Sequence, residues 1–221
     1  MDYNHDREVI IPDEVRKNVE EDLVMLKEIK DPELRKGVIE AWSASLVLNG
    51  FTAVHDIQGS GIYNCLVLKE GSQADHLNTV ARIALGIAKG LLDQRPYLKI
   101  DLDLVVAGAL LHDVGKPPEY NLEKRKFWTE HPEYEGFPPV SHAMYGFYIC
   151  MLVGLPMRVA HIPATHCQEG EMHCIQRSIE STIVHTADWV SWDCFIVLKE
   201  LDTSYPFVQP RIFPGKEPGE T

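Results

Sequence analysis

The amino-acid sequence predicts an all-α protein, a helical bundle followed by an extended C-terminal tail. Apolar residues recur at spacings of three and four along most of the 221 residues, which is the periodicity of one helix face. No segment alternates apolar and polar residues clearly enough to predict a strand. Proline recurs at positions 206, 210, 214 and 218, and this spacing excludes a helix from the tail.

The periodic segments predict helices near residues 13–29, 32–48, 73–93, 102–115, 142–153, 156–168 and 174–200. Ser72 and Asp75 form a capping-box pattern at the start of the third helix. The fourth helix carries LVVAGALL, which is apolar on every face and therefore predicts a central position in the bundle. We divide the chain into N-terminal helices with a connecting loop over 1–71, a main helical domain over 72–200, and the tail over 201–221.

Two long connections interrupt these helices. The first, near 50–71, contains a local pair, His55 and Asp56, which we interpret as part of a surface loop because no apolar helix precedes it. The second, 117–141, reads PPEYNLEKRKFWTEHPEYEGFPPVS. Loops of this length in compact domains are usually functional or disordered, so this one is either a lid over a site or a structural wrap.

Composition excludes several functional classes. The net charge of −12 and the pI near 5.2 argue against a nucleic-acid binder, which needs a basic surface. No apolar run is long enough to cross a bilayer and the N-terminus does not resemble a signal peptide, so we expect a cytoplasmic protein without a membrane partner. The five cysteines include no CxxC pair, which favours reduced thiols. Cys167, beside His166, is the one cysteine of interest, and a homo-oligomer is left open.

The stretch ALLHDVGKPPEY, residues 109–120, places two polar residues at the end of an apolar helix. Burying His112 and Asp113 costs several kcal/mol unless each finds a partner, about 2–7 kcal/mol for a neutral polar group. Gly115 is predicted to end this helix. The negative end of the helix dipole favours a cation at this point.

Further histidines and an aspartate could supply the partners. His76 shares an inward helical stripe with apolar residues, His142 follows the N-cap candidate Ser141, and His166 lies near the end of the next helix. Asp188 is mid-helix in an apolar and aromatic stretch, with Asp193 as the competing carboxylate; core-like neighbours favour Asp188.

Each of these side chains alone has an ordinary explanation, as a hydrogen-bonded core histidine or a surface aspartate. Four histidines and two aspartates delivered by five helices are better explained by a bound cation, which would satisfy all the buried polar groups at once. Imidazole and carboxylate are the ligand types of Fe, Mn, Zn and Ni. The spacing therefore predicts a metal site.

The same residues resemble the signature of the HD superfamily of metal-dependent phosphohydrolases. The resemblance rests on DHLNTVARIALGIA at the first histidine, ALLHDVGKP at the doublet and STIVHTADWV at the last aspartate. It covers residues 72 to 200, so the main domain is expected to be an HD domain. The two added histidines resemble the six-ligand dinuclear branch, which includes diadenosine tetraphosphate hydrolases and phosphodiesterase-type members.

The resemblance implies two divalent transition-metal ions, Fe or Mn in the first place, with Zn, Ni or Co as alternatives. Its ligands would be His76, His112, Asp113, His142, His166 and Asp188. Asp113 would bridge the first ion, held with His76, His112 and Asp188, to the second, held by His142 and His166. Asp113 and Lys116 are the catalytic candidates: a metal-activated water would be the nucleophile, and Lys116 resembles the family's phosphate-contacting lysine. An ordinary helix C-terminal lysine is the alternative for Lys116.

The function implied is hydrolysis of a small phosphate ester or anhydride of the nucleotide or cyclic nucleotide class, so the partner is a small phosphorylated molecule. A second reaction class remains open, because di-iron oxygenases acting on small polar substrates share this scaffold and ligand pattern. A third alternative is a non-catalytic domain that binds a nucleotide as a regulator; intact ligands argue against it.

Overall fold

The computed structural model describes residues 9–60, 67–136, 138–167, 176–198 and 201–202. Its α-helices are α1 (Asp13–Asp22), α2 (Pro32–Leu48), α3 (Gln73–Gln94), α4 (Leu102–Leu111), α5 (Pro117–Tyr120), α6 (Leu122–Glu130), α7 (Pro132–Glu135), α8 (His142–Leu152), α9 (Met157–Thr165) and α10 (Ile179–Leu198). Two short 3₁₀ helices span Val24–Glu28 and Val54–Asp56. The predicted all-α class is confirmed, whereas the proline-rich tail beyond residue 202 lies outside the described residues.

Helix α4 is the centre of the bundle, as its apolar sequence predicts. Every residue from Leu104 to Leu111 is buried, and α4 packs against α2, α3, α9 and α10. One continuous apolar cluster extends from Val15 in α1 to Ala187 in α10. Burial of this surface is the main favourable term in folding, and it holds the helices that carry the predicted ligands around the end of α4.

A small antiparallel sheet accompanies the helices and was not predicted. Its strands are β1 (Gln58–Ser60), β2 (Val67–Ser72) and β3 (Leu201–Asp202), in the order β1-β2-β3. Strand β2 pairs with β1 through Gln58 and Ser72, with an irregular register, and with β3 through Val67 and Asp202. Strands of two to six residues are too short to show a clear alternation, so the pattern could not reveal them.

The helix predicted over 13–29 is interrupted at Leu23, between α1 and the first 3₁₀ helix. Asn78 of α3 stabilises the break from outside: its side-chain amide donates to the carbonyl of Asp22 at 2.8 Å, and its carbonyl accepts from the backbone N–H of Met25 at 3.1 Å. Tertiary hydrogen bonds thus satisfy backbone groups that a continuous helix would have paired internally.

The connection over 117–141 contains three short helices, α5, α6 and α7, rather than unstructured chain. Pro117, Pro118 and Glu119 are buried, as are Arg125 and Trp128 of α6. This segment therefore packs against the rest of the domain. That it moves as a lid stays a prediction. In the described residues, no helix is long and apolar enough to cross a membrane.

Candidate metal centre

Helix α4 ends at Leu111, four residues earlier than predicted, and the doublet lies in the turn that follows. The backbone N–H of Val114 donates to Leu111 and that of Lys116 to Asp113, both at 3.0 Å, so the chain tightens into three-residue turns. Gly115 does not end the helix through a positive φ. It is required by contact instead, because a Cβ atom there would lie 2.0 Å from the carbonyl oxygen of His142.

The turn brings all six predicted ligands together. Five of the side chains are nearly inaccessible, with His76, His112, Asp113, His142 and His166 at most 6% exposed, and Asp188 is 16% exposed at its side chain. His76 belongs to α3, which begins with the predicted capping box. There the backbone N–H of Ser72 donates to Oδ2 of Asp75 at 2.7 Å. Asp193, the competing carboxylate, is exposed and belongs to neither cluster of potential donors found in the described residues.

Two of the histidines are held in the same way. His112 and His166 follow the last residues of α4 and α9, and the Nδ1 atom of each lies against the carbonyl oxygen three residues earlier: Ala109 at 2.6 Å and Pro163 at 2.8 Å. A carbonyl oxygen can only accept, so Nδ1 of each ring carries the proton. The Nε2 atom of each neutral ring therefore presents a lone pair to the site, as a metal ligand requires.

Asp113 lies between two pairs of histidines. Its Oδ2 atom is 3.5 Å from Nε2 of His76 and 3.3 Å from Nε2 of His112. Its Oδ1 atom is 3.7 Å from Nε2 of His142 and 3.5 Å from Nε2 of His166. One carboxylate thus directs a different oxygen atom at each pair, which is the arrangement that a bridging ligand needs.

Asp188 completes the group on the side of α3. Its Oδ1 atom is 3.2 Å from Nε2 of His76 and 3.7 Å from Nε2 of His112, but neither contact has hydrogen-bond alignment, and this buried oxygen has no hydrogen-bond partner among the described residues. An unsatisfied buried carboxylate oxygen is costly. A cation at this position would remove that cost.

Electrostatics favour positive charge at two histidines of the centre, His76 and His142, whereas burial lowers the pKa of His166. Burial opposes the protonation of His76, yet Asp113 and Asp188 raise its pKa above the ordinary value. Burial likewise opposes the protonation of His142, while its contacts with Cys167 and Glu119 raise its pKa well above that value. Carboxylates that draw protons onto buried imidazoles would also attract a metal cation.

Lys116 is turned into the protein. Its side chain is 1% exposed, and Nζ lies 2.7 Å from Oδ2 of Asp113. Burial penalises both charges, but the contact raises the pKa of Lys116, and the Lys116 ammonium holds the pKa of Asp113 well below its usual range. The predicted phosphate contact of Lys116 stays a prediction; the structure shows a lysine that orients the central carboxylate.

The donor atoms fit divalent cations at two positions. Nitrogen and oxygen atoms of His76, His112 and Asp188 lie within 4.8 Å of one another, as do donor atoms of a second group, His142, His166 and Cys167. Within the pairs, Nε2 of His76 is 3.2 Å from Nε2 of His112, and Nε2 of His142 is 3.3 Å from Nε2 of His166. Converging imidazole and carboxylate atoms are typical of Fe, Mn, Zn and Ni sites. Cys167, noted for its position beside His166, thus lies at the second group.

Two residues of the centre were not predicted from the sequence. The side-chain amide of Gln73 donates to Oδ2 of Asp113 at 2.8 Å, and its carbonyl oxygen is buried with no hydrogen-bond partner among the described atoms. The carboxylate of Glu119 lies 3.4 Å from Nδ1 of His142. Gln73 lies three residues before His76, on the same face of α3, and this spacing could have suggested it. No local signal indicated Glu119.

Other candidates lie away from the centre or outside the described residues. Nε2 of His161 accepts from the backbone N–H of Ser178 at 3.1 Å, which is a structural contact. His55 is on the surface and pairs with Asp22 at 2.8 Å. Its segment was interpreted as a surface loop, but it forms a 3₁₀ helix that leads into β1. Four polar residues that follow His166 closely in the sequence lie outside the described residues: Gln168, Glu169, Glu171 and His173.

Comparison with known proteins agrees with this geometry. A family model described as the HD domain matches residues 74–193, more than half of the chain. The chain belongs to the HD domain family. The resemblance inferred from the sequence is thereby confirmed, and the matched region contains all six predicted metal ligands.

A curated relative of this HD domain protein is the dihydroneopterin 2′,3′-cyclic phosphate phosphodiesterase of Methanocaldococcus jannaschii. It is 33% identical over 172 residues, and the alignment covers 74% of this chain and 65% of the relative. The chain therefore spans slightly less than two thirds of the length of that relative. No solved structure matches the chain.

Proposed function

We propose that this HD domain protein is a metal-dependent phosphohydrolase that cleaves a small phosphate ester or anhydride of the nucleotide or cyclic nucleotide class. The observation that carries the proposal is the position of Asp113, with one carboxylate oxygen directed at each of two histidine pairs. The relative named for a cyclic phosphate substrate makes a small cyclic phosphodiester the first substrate to test.

His76, His112 and Asp188 would hold one ion and His142 and His166 the other, with Asp113 shared between them. When bound, a pair of ions lowers the pKa of a bound water molecule and stabilises charge on both the attacking and the leaving oxygen. Fe and Mn fit a donor set of imidazole and carboxylate. Hydrolysis then adds water across the phosphorus–oxygen bond, and the leaving oxygen takes a proton.

The residues around Asp113 hold it in one orientation. Lys116 at 2.7 Å and Gln73 at 2.8 Å both donate to Oδ2. This leaves Oδ1 facing His142 and His166, and it prevents the carboxylate from rotating away from either pair. Since an error of 1 Å in such a centre costs about 10²-fold in rate, these two donors would contribute to activity by holding Asp113 in place.

A matched pair of variants on α10 tests the metal centre. Asp188→Ala removes a carboxylate from the centre, whereas Asp193→Ala removes an exposed one five residues later. The protein is purified anaerobically, and its metal content is measured alongside the hydrolysis of a panel of cyclic and linear phosphodiesters. We expect about two ions per wild-type chain. Asp188→Ala should lose metal and at least about 10²-fold in rate, because loss even of an outer partner costs 10–100-fold.

The control Asp193→Ala should retain both ions and the wild-type rate. Hydrolysis that survives in Asp188→Ala, or in Asp113→Ala, while metal is lost would contradict the proposal. Oxygen uptake by the iron-loaded protein, with no anaerobic release of product, would assign it to the alternative class of oxygenases.

A further inference from the structure

A cavity of about 420 Å³ lies beside the metal centre, between α2, the α5–α6 segment and α8. Its size is within the range of small-molecule sites, about 300–1,000 Å³. The residues that line it include Asn49, Glu119, Glu123, Lys124, Phe127 and Tyr145. None of these residues is a predicted metal ligand, and Glu119 is the one that also contacts a histidine of the centre.

The walls of the cavity are rich in aromatic rings. Phe127 and Trp128 come from α6 and Tyr145 from α8. Phe127 is 43% exposed although it is a large apolar side chain, and Trp128 is buried. Aromatic faces on two sides of a small cavity suit a flat ring, since stacking on an aromatic side chain contributes about 1–3 kcal/mol per base.

Polar groups are placed around these rings. Nζ of Lys124 lies 2.6 Å from the side-chain oxygen of Asn49, whose amide group contacts the hydroxyl of Tyr145 at 3.2 Å. Burial lowers the pKa of Lys124, and no ion pair joins it to a carboxylate of the described residues at 4.0 Å or less. Glu119 and Glu123 are also among the residues that line the cavity. It therefore offers hydrogen-bond acceptors and a cationic donor to one ligand.

Glu119 connects the cavity to the metal centre. Glu119 lines the cavity, and its carboxylate lies 3.4 Å from Nδ1 of His142. A ligand in the cavity is therefore separated from the second histidine pair by a single side chain. This is the spatial relation expected between the organic part of a small phosphodiester and the atoms that bind its phosphate.

We propose that this cavity binds the heterocyclic part of the substrate, and that the heterocycle is an aminopyrimidinone ring such as that of guanine or a pterin. The amino edge of such a ring has adjacent N–H groups that donate to carboxylates, and its carbonyl oxygen accepts from an ammonium group. Glu119 or Glu123 and Lys124 supply these partners, and Phe127 stacks on the ring. The proposal rests on the proposed function in one respect, namely that the substrate carries a phosphate.

The test measures binding of guanosine and of pterin, neither of which has a phosphate, to the metal-loaded protein by calorimetry. Lys124→Ala should weaken binding about tenfold, since a hydrogen bond to a charged group contributes about 1.5–3 kcal/mol. Phe127→Ala should weaken it at least about fivefold. Lys126→Ala and Leu122→Ala are the controls, because both side chains are exposed on the same helix and do not line the cavity.

Binding of either probe that falls in both cavity variants and not in the controls would support the proposal. Absence of binding by both probes, or equal affinities in all variants, would overturn it. Circular dichroism shows whether each variant is folded. Since the probes carry no phosphate, a protein that binds guanosine but hydrolyses nothing would contradict the proposed function and leave the cavity assignment standing.

Discussion

Replacing Gly115 by alanine should disrupt the metal centre by displacing α8. A Cβ atom at this position would lie 2.0 Å from the carbonyl oxygen of His142 and 2.5 Å from the backbone nitrogen of Gly146. An ordinary contact begins near 3.4 Å, so the first turn of α8 must retreat by about 1.4 Å, the difference between that distance and the shorter contact. Backbone atoms cannot rotate away as a side chain can.

Gly115→Ala should lower both the free energy of unfolding and the activity. Overpacking in a core costs about 1–3 kcal/mol, and a clash with backbone on both sides places Gly115→Ala near the upper end, at about 3 kcal/mol. The same displacement carries His142, the first residue of α8, away from Asp113, so we expect about a 10²-fold loss of the proposed phosphohydrolase activity. Metal affinity should fall at the second histidine pair.

Urea unfolding measures the stability, and elemental analysis after dialysis measures the bound metal. Gly86→Ala is the matched control, since Gly86 is exposed on α3 and a Cβ atom there would meet nothing within 4 Å. This control should be about 0.5–1 kcal/mol more stable than the wild type, because alanine favours a helix over glycine. If Gly115→Ala kept wild-type stability and two bound ions, the reasoning from the close approach would be refuted.

Three further changes test other parts of the structure. Trp42→Phe removes the donor to the carbonyl of Leu110, a buried contact of 2.7 Å, and should lower the free energy of unfolding by about 1–3 kcal/mol without changing the metal content. Removing metal with a chelator should lower the midpoint of thermal unfolding, since ions present at 100 times their Kd contribute about 2.7 kcal/mol; an unchanged midpoint would exclude metal-linked folding. Burial raises the pKa of Cys150 to about 12, so its thiolate is scarce at pH 8. An alkylating reagent should therefore modify the exposed Cys194 but spare Cys150 until pH rises or the protein unfolds, as peptide mapping would show.

Periodicity predicted the parts of the centre that local sequence controls. His76 lies on an apolar stripe of α3. The core-like neighbours Val184 and Ala187, both fully buried, favoured Asp188, which lies beside His76, over the exposed Asp193. Glu119 could not be found in this way, because its contact with His142 is a tertiary one between different helices. Nothing in a single sequence encodes that pairing of residues 23 positions apart. The sheet was missed for a similar reason, since β3 pairs with β2 across more than 130 residues.

The position of the doublet at a helix end has a physical reason that also applies to His166. The last carbonyl groups of a helix have no partner within it, and the imidazoles that follow α4 and α9 donate Nδ1–H to such carbonyls, those of Ala109 and Pro163. The same hydrogen bond gives the backbone carbonyl a partner and fixes the tautomer of the ring. The Nε2 atom then carries no proton and directs its lone pair at the centre. A histidine one turn earlier would face carbonyl groups that already accept hydrogen bonds within the helix. Two helix ends therefore orient one histidine of each pair around Asp113, before any ion contributes to the arrangement.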